Sequence, residues 1–219
     1  MTRCAKTHGP RRASSIALTF DDGPGAVTAA ILEVLAAHRA HATFNVLGER
    51  IAGREKLLRC VAAAGHEVGV HGWTHHDHRQ RPLRSARGVA STARAIGAAC
   101  GARPCLFRPP FGLTSLGLEA AVALLGLRTV LWDVDPRDFE EPGSATICDR
   151  TLAAVHAGSI VLLHDDRPEL APTADALDGI LGQLGRRGLH ATTLSELFSL
   201  RGGGRGTLGR GWCGWTCAP

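Results

Sequence analysis

Apolar strand-like segments alternate with amphipathic helical stretches along residues 15–198, and this alternation sets the fold class. The predicted strands are residues 15–20, 42–48, 67–72, 105–111, 128–135, 159–165 and 189–194. The predicted helices include residues 26–40, 55–66, 115–126 and 173–188, the last with Thr173 as its N-cap. Buried strands separated by helices indicate a parallel sheet with helices outside it. About seven such units predict an α/β protein whose strands form a barrel or near-barrel.

The two ends of the chain differ in composition from this alternating region. Residues 1–14 form a basic N-terminal arm, and residues 201–219 form a Gly-rich tail that we expect to be disordered. Residues 15–200 contain no linker and are expected to form one domain. Seven of the 25 Lys and Arg residues lie in the two ends, and the others nearly balance the 20 Asp and Glu residues. The domain therefore has no predicted basic surface for nucleic acid.

Composition also bears on compartment and assembly. No stretch approaches the roughly 20 apolar residues of a membrane span, and no apolar run follows the basic N-terminus as in a secretory signal. We expect a cytoplasmic protein, or a secreted one whose leader has been removed, and a monomer. The seven cysteines include no CxxC pair, which argues against a structural zinc knuckle.

Charged side chains follow the predicted strands at their carboxyl ends, which meet at one rim of a parallel barrel. In "LTFDDGPG" (residues 18–25), Asp21 and Asp22 come directly after the first strand, although Asp, Gly and Pro are also ordinary turn residues. The residues that follow later strands are His71, Arg108, Asp135, Asp138 and His164. The sequence therefore predicts a polar site at this rim.

The segment "HGWTHHDH" (residues 71–78) separates His71 from His75 by three residues. Alone, such a loop is more often a solvated His-rich turn, and His76 and His78 are alternative ligands. Together with a carboxylate from the first strand end, it forms a two-His, one-carboxylate set that suits catalytic zinc and other divalent metals. One aspartate would bind the cation and its neighbour would stay a free base, since the cation offsets their repulsion.

Five segments in order resemble the motifs of the polysaccharide deacetylase family (NodB homology, carbohydrate esterase family four). They are "TFDDGP", "HGWTH", "FRPPFG", "WDVDPRDF" and "IVLLHD", and the resemblance covers roughly residues 15–198. It implies a distorted (β/α) barrel of about seven parallel strands. It also implies a hydrolase that removes acetyl groups from N-acetylated sugars or, in some members, from O-acetylated xylan.

The resemblance implies a role for each matching residue. Asp21 corresponds to the general base, and Arg108 to the residue that orients and ionises it. Asp22, His71 and His75 correspond to the ligands of one divalent metal ion, with Zn2+ expected first and Co2+, Ni2+ or Mn2+ as alternatives.

The remaining motifs imply an acid and a substrate pocket. His164 corresponds to the general acid, with Asp138 holding its imidazole protonated and oriented. The backbone N–H of Phe111 would help to hold the oxyanion, and Leu162 would line the acetyl pocket. Trp132 and Phe139 are further candidates for substrate contacts, with an N-acetylated sugar as the expected partner.

Three positions depart from the family pattern. Gly72 replaces the usual Ser or Thr after the first metal-binding histidine, Phe139 stands where Trp is usual, and Asn45 replaces an aromatic residue in "ATFFV". The sequence also contains no Tyr, so aromatic residues for sugar stacking are sparse. None of these changes removes a group with a predicted catalytic role.

The leading hypothesis is a metal-dependent N-deacetylase acting on an N-acetylglucosamine unit of an oligosaccharide or glycosylated metabolite. The alternatives are a related C–N hydrolase of a non-sugar amide, an acetylxylan-type O-deacetylase, and a carbohydrate-binding or metal-storing protein without activity. The intact Asp21–Asp22 pair argues against the first alternative. Asp21, Arg108 and His164 together argue against the last, because binding alone needs no acid or base.

Overall fold

The structure is a computed structural model that describes residues 5–79 and 81–199. Within these residues the strands are β1 (Ser15–Asp21), β2 (Thr43–Leu47), β3 (Glu67–Gly72), β4 (Leu106–Phe107), β5 (Arg128–Thr129), β6 (Ile160–His164) and β7 (His190–Thr192). The helices are α1 (Thr28–Ala37), α2 (Glu55–Ala63), α3 (Pro82–Cys100), α4 (Leu116–Leu124), α5 (Ser144–Ala154), α6 (Ala171–Arg186) and α7 (Leu194–Ser199).

The sheet is parallel and has the strand order β5-β4-β3-β2-β1-β6, with β7 also paired to β1. An isolated parallel bridge between Val134 and Val161 joins the segment after β5 to β6. The two ends of the strand order therefore meet, and the sheet curves into a distorted barrel around an apolar core. This confirms the predicted α/β barrel of about seven parallel strands.

Two strands are much shorter than predicted. The β4 strand ends at Phe107 because Pro109 and Pro110 have no N–H to donate, and the chain then turns with Phe111 at a φ of 58°. The β5 strand ends at Thr129; the Val130 N–H donates to the Phe107 carbonyl of β4 at 3.0 Å, and Val130 also forms an isolated parallel bridge with Lys6. The segments that follow both strands are therefore irregular at the rim where the predicted site lies.

Three helices, α3, α5 and α7, lie outside the predicted helical stretches, and one predicted N-cap is misplaced. The α3 helix was not predicted, because its buried face includes Ser85 and Thr92 beside the apolar Val89 and Ile96, which weakens the hydrophobic periodicity. The predicted N-cap at Thr173 is wrong: α6 begins two residues earlier at Ala171, with a proline in its first turn. The Thr173 hydroxyl is thereby free for a partner outside its own helix.

Part of the basic N-terminal segment lies against the domain. The Lys6 N–H donates to the Thr129 carbonyl at 3.2 Å, and the Arg11 guanidinium lies 2.9 Å from Asp133. The Gly-rich segment 201–219 lies outside the described residues. Among the helices of residues 5–79 and 81–199, none combines the length and apolar content needed to cross a bilayer.

Candidate active site

Asp21 and Asp22 reach the same rim because the backbone at Asp22 adopts a left-handed conformation. Asp21 is the last residue of β1, and Asp22 follows with a φ of 73°. Adjacent side chains of a continuing strand would point to opposite faces, but this left-handed conformation, which Asp adopts more readily than most residues, breaks the alternation. Both carboxylates then face His71, with Asp21 Oδ2 4.0 Å from Nδ1 and Asp22 Oδ1 3.4 Å from Nε2.

Asp22, His71 and His75 form the candidate metal centre. Each offers one ligand atom, and the three atoms lie within 4.8 Å of one another. Asp22 Oδ1 is 3.4 Å from His71 Nε2 and 3.7 Å from His75 Nε2. Within the described part of the chain, no other group of three His, Cys, Asp or Glu residues comes this close.

The state of the ligand atoms fits a divalent cation. His71 Nδ1 lies 2.8 Å from the Arg108 carbonyl, so Nδ1 carries the proton and Nε2 presents its lone pair to Asp22. Burial lowers the pKa of His71 despite the neighbouring carboxylates, which keeps the ring neutral. Asp22 Oδ1 is buried and accepts no hydrogen bond from the described residues. A lone buried carboxylate oxygen facing imidazole nitrogens is the donor set that such an ion satisfies.

The alternative ligands His76 and His78 do not join this centre. His76 Nδ1 lies 2.7 Å from the Thr74 hydroxyl at the surface. His78 is 1% exposed and packs edge-on against Phe107, at a ring distance of 6.1 Å. Burial lowers the pKa of His78 to about 4, so the ring is neutral.

The loop after His71 is supported without the Ser or Thr usual at residue 72. Gly72 has a φ of 116°, and a Cβ there would lie 2.7 Å from His78 Nε2. The Thr92 hydroxyl, on α3, donates to the Gly72 carbonyl at 2.9 Å. The buried His78 ring therefore fills the space of the missing side chain, and α3 anchors the loop backbone.

Arg108 holds Asp21 from the end of β4. It is fully buried, and its Nη1 donates to Asp21 Oδ1 at 3.0 Å and to Thr19 Oγ1 at 2.6 Å. Its Nη2 donates to the Leu131 carbonyl at 3.0 Å. Burial raises the pKa of Asp21, but the charge of Arg108, with smaller contributions from other neighbours, outweighs it and lowers that pKa below its ordinary value. Asp21 is therefore ionised at neutral pH.

Asp138 holds His164 at the end of β6. His164 Nδ1 lies 2.8 Å from Asp138 Oδ1, and the His164 backbone N–H donates to Oδ2 at 2.8 Å. The Thr173 hydroxyl donates to the same Oδ2 at 3.0 Å. Burial disfavours the charged ring, but the hydrogen bond and charge of Asp138 raise the pKa of His164 to about 9. His164 is in register with Asp21, so a protonated imidazole and an ionised carboxylate end neighbouring strands.

The predicted substrate residues lie around these groups. Phe111 is 61% exposed, and its ring packs edge-on against His75 at 4.3 Å. Phe139 lies edge-on to His164 at 5.7 Å, and Leu162 precedes His164 by two residues on β6. The Trp132 ring lies 5.6 Å from the Arg108 guanidinium carbon. Asp135, by contrast, is exposed and accepts from the Arg137 N–H in its own turn.

Sequence reasoning missed three residues that contact these groups. Thr19 accepts from Arg108, Thr173 donates to Asp138, and the Asn45 amide donates to Asp21 Oδ1 at 2.8 Å. Asn45 carried a signal, since it is a polar residue in a predicted buried strand at a position where an aromatic is usual. Nothing in the sequence distinguished Thr19 or Thr173 from ordinary buried threonines.

The sequence model of the family described as "Polysaccharide deacetylase" matches residues 8–130. The chain is 40% identical over 197 residues to a chitooligosaccharide deacetylase from Bradyrhizobium sp. (strain ANU 289), covering 84% of this chain and 90% of that protein. A crystal structure of a peptidoglycan N-acetylglucosamine deacetylase is similar with a TM-score of 0.83 at 30% identity, covering 89% and 92% of the two chains. A pseudoenzyme of carbohydrate esterase family four from Bacillus anthracis has a similar structure, with a TM-score of 0.84 at 26% identity. The match covers 90% of this chain and 70% of that one.

Proposed function

This chain belongs to the polysaccharide deacetylase family, and from that premise we propose that it hydrolyses the acetamide of an N-acetylglucosamine unit and releases acetate. One observation carries the proposal. Asp21 and His164, ionised and protonated respectively, end paired strands beside the Asp22, His71 and His75 cluster. Amide hydrolysis needs this combination, because water must lose a proton and the amine must gain one.

Asp21 is the proposed general base. Its Oδ1 accepts from Arg108 and Asn45, which leaves Oδ2, on the side of His71, to take a proton from the attacking water. Transfer of this proton accompanies formation of the bond between the water oxygen and the acetyl carbon. The buried Arg108 keeps the carboxylate ionised and fixed in place beforehand.

His164 is the proposed general acid. An amine leaves poorly as an anion, so the C–N bond breaks as the imidazolium gives its proton to the nitrogen. Asp138 accepts from Nδ1, which directs Nε2 towards the substrate side of the rim. The products are acetate and the free amino sugar.

Asp22, His71 and His75 would hold the divalent cation, which we propose to be zinc, with Co2+, Ni2+ or Mn2+ as alternatives. Such an ion polarises the acetamide carbonyl and lowers the pKa of water. The Phe111 N–H would add a hydrogen bond to the oxyanion. Stabilisation of the oxyanion as a whole is often the largest contribution to catalysis in acyl transfer.

We propose that the acetyl methyl group packs against Leu162, and that the sugar contacts Trp132, Phe111 and Phe139. The small exposed aromatic surface favours a small soluble substrate, either an oligosaccharide or a glycosylated metabolite. The Bradyrhizobium relative, a chitooligosaccharide deacetylase by name, supports the oligosaccharide class. The predicted monomeric state, cytoplasmic location and lack of nucleic-acid binding stay predictions from composition.

The test is hydrolysis by the metal-loaded protein of chitooligosaccharides and acetylated xylan, followed by acetate release, and of a cyclic imide, followed by ring opening, with Asp21→Asn as the inactive control. We expect turnover of chitooligosaccharides in preference to the other two. Turnover of xylan alone would indicate an O-deacetylase, and turnover of the imide alone a non-sugar C–N hydrolase. Saccharide binding without any acetate release would indicate a binding protein of the pseudoenzyme kind.

A further inference from the structure

Asn45 is the only asparagine in the 219-residue sequence, and it lies in the middle of the sheet. It belongs to β2 and is 1% exposed. In the parallel register its neighbours are Asp21 on β1 and Gly69 on β3. A buried amide costs free energy unless it is hydrogen-bonded, so the partner of Asn45 indicates why it is tolerated there.

That partner is the proposed base. Asn45 Nδ2 donates to Asp21 Oδ1 at 2.8 Å, and Arg108 Nη1 donates to the same oxygen at 3.0 Å. The two donors come from β2 and from the end of β4. One donor alone would let the carboxylate swing about its Cβ–Cγ bond, whereas two donors from separate strands hold Oδ1 and thereby fix the direction of Oδ2.

Gly69 makes this arrangement sterically accessible. A Cβ at residue 69 would lie 2.3 Å from Asn45 Oδ1, far inside contact distance. The missing side chain on β3 therefore leaves the space into which the Asn45 amide fits. The Asn45 amide can therefore occupy this position only because residue 69 has no side-chain methyl group.

We propose that Asn45 is a positioning residue for the base: its amide, seated over Gly69, fixes Asp21 so that Oδ2 faces the reacting water. The kinetic consequence rests on the proposed function, but the hydrogen bond does not. Two experiments test the hydrogen bond and its effect on kcat separately.

The first experiment detects the hydrogen bond. Protein containing asparagine labelled with 15N in the side-chain amide gives one NH2 pair, because the chain has one asparagine. In metal-free protein we expect one of the two protons to exchange slowly with solvent, and Asp21→Ala to abolish that protection. Asp22→Ala, which removes the adjacent carboxylate, is the matched control and should retain it. An amide signal that is the same in the wild type and Asp21→Ala would overturn the proposal.

The second experiment is a double-mutant cycle of Asn45→Ala and Gly69→Ala, measured on a chitooligosaccharide. Asn45→Ala should lower kcat about tenfold, the usual scale for a hydrogen bond to a charged group, with KM and bound metal unchanged. Gly69→Ala should also lower kcat, because its methyl group displaces the amide, and should have no further effect in the Asn45→Ala protein.

The proposal is wrong if Gly69→Ala lowers kcat by the same factor in the wild-type and the Asn45→Ala protein, or if Asn45→Ala keeps full kcat. A wild-type protein without deacetylase activity would contradict the proposed function instead. The amide protection in the first experiment would then still decide whether Asn45 holds Asp21.

Discussion

Asp138 binds His164 twice, through the ring Nδ1 at 2.8 Å and through the backbone N–H at 2.8 Å. The first contact orients the imidazole and favours its protonated form, and the second fixes the end of β6 relative to the turn that carries Asp138. Because Asp138 is fully buried, both contacts are shielded from water. The position and the charge of the proposed acid therefore depend on one carboxylate.

Asp138→Asn should move the alkaline limb of the pH–kcat profile to lower pH. The pKa of His164 is raised from its ordinary 6.5 to about 9, so the wild-type acid is protonated at neutral pH and is lost as pH rises through about 9. Removing the Asp138 charge lowers that pKa, so activity should fall more at pH 8 than at pH 6. The measurement is kcat against pH at saturating chitooligosaccharide.

Asp135→Asn is the matched control, because Asp135 is exposed and accepts a hydrogen bond from the Arg137 N–H in its own turn. Its alkaline limb should coincide with that of the wild type. An Asp138→Asn protein with an unchanged alkaline limb would show that His164 is not the titrating acid.

His164→Ala should harm amide substrates more than esters with good leaving groups. An aryl acetate loses a stable phenolate without protonation, whereas an amine must be protonated as it leaves. We expect kcat on the N-acetylated sugar to fall by roughly 10² or more, and kcat on the activated ester to fall far less. Equal losses on both substrates would count against His164 as the proton donor.

Asp21→Asn should retain the metal and lose turnover. The amide is nearly isosteric with the carboxylate and still accepts from Arg108, but it cannot take a proton from water. A fall in kcat of roughly 10² or more is the usual scale for loss of a general base. Metal content measured on the same preparation gives the control, and full activity in this variant would assign the base elsewhere.

The rim residues could be predicted because barrel topology places strand ends together, and because Asp21, His71 and His164 directly follow apolar runs. Asn45 and Thr173 could not be assigned, since their roles depend on which atoms of Asp21 and Asp138 remain unpaired after folding. The α3 helix escaped prediction because Ser85 and Thr92 occupy its buried face. Side-chain partners across strands, and polar residues on buried helix faces, have no periodic signal in one sequence.

His71→Ala should abolish both metal binding and activity. Its Nε2 presents a lone pair to the cluster, and Asp22 with His75 alone would offer only two protein ligands. His76→Ala is the matched control, because His76 bonds Thr74 at the surface and should leave metal content unchanged. The measurement is metal stoichiometry with acetate release, before and after chelation and reconstitution with Zn2+ or Co2+. Stoichiometric metal and full activity in His71→Ala would remove His71 from the centre.

The rate should depend little on substrate chain length. Extended saccharide chains are usually bound by a row of aromatic platforms, whereas the substantially exposed aromatics in the described part of the chain are Trp73, Phe111 and Phe139, at 40%, 61% and 38% exposure. Two of these, Phe111 and Phe139, pack against His75 and His164, which belong to the proposed site. We therefore expect similar kcat/KM on an N-acetylglucosamine conjugate and along a chitooligosaccharide ladder, and lower activity on insoluble peptidoglycan. A rate that climbs steeply with length, or is highest on peptidoglycan, would contradict a small substrate while leaving the deacetylase proposal intact.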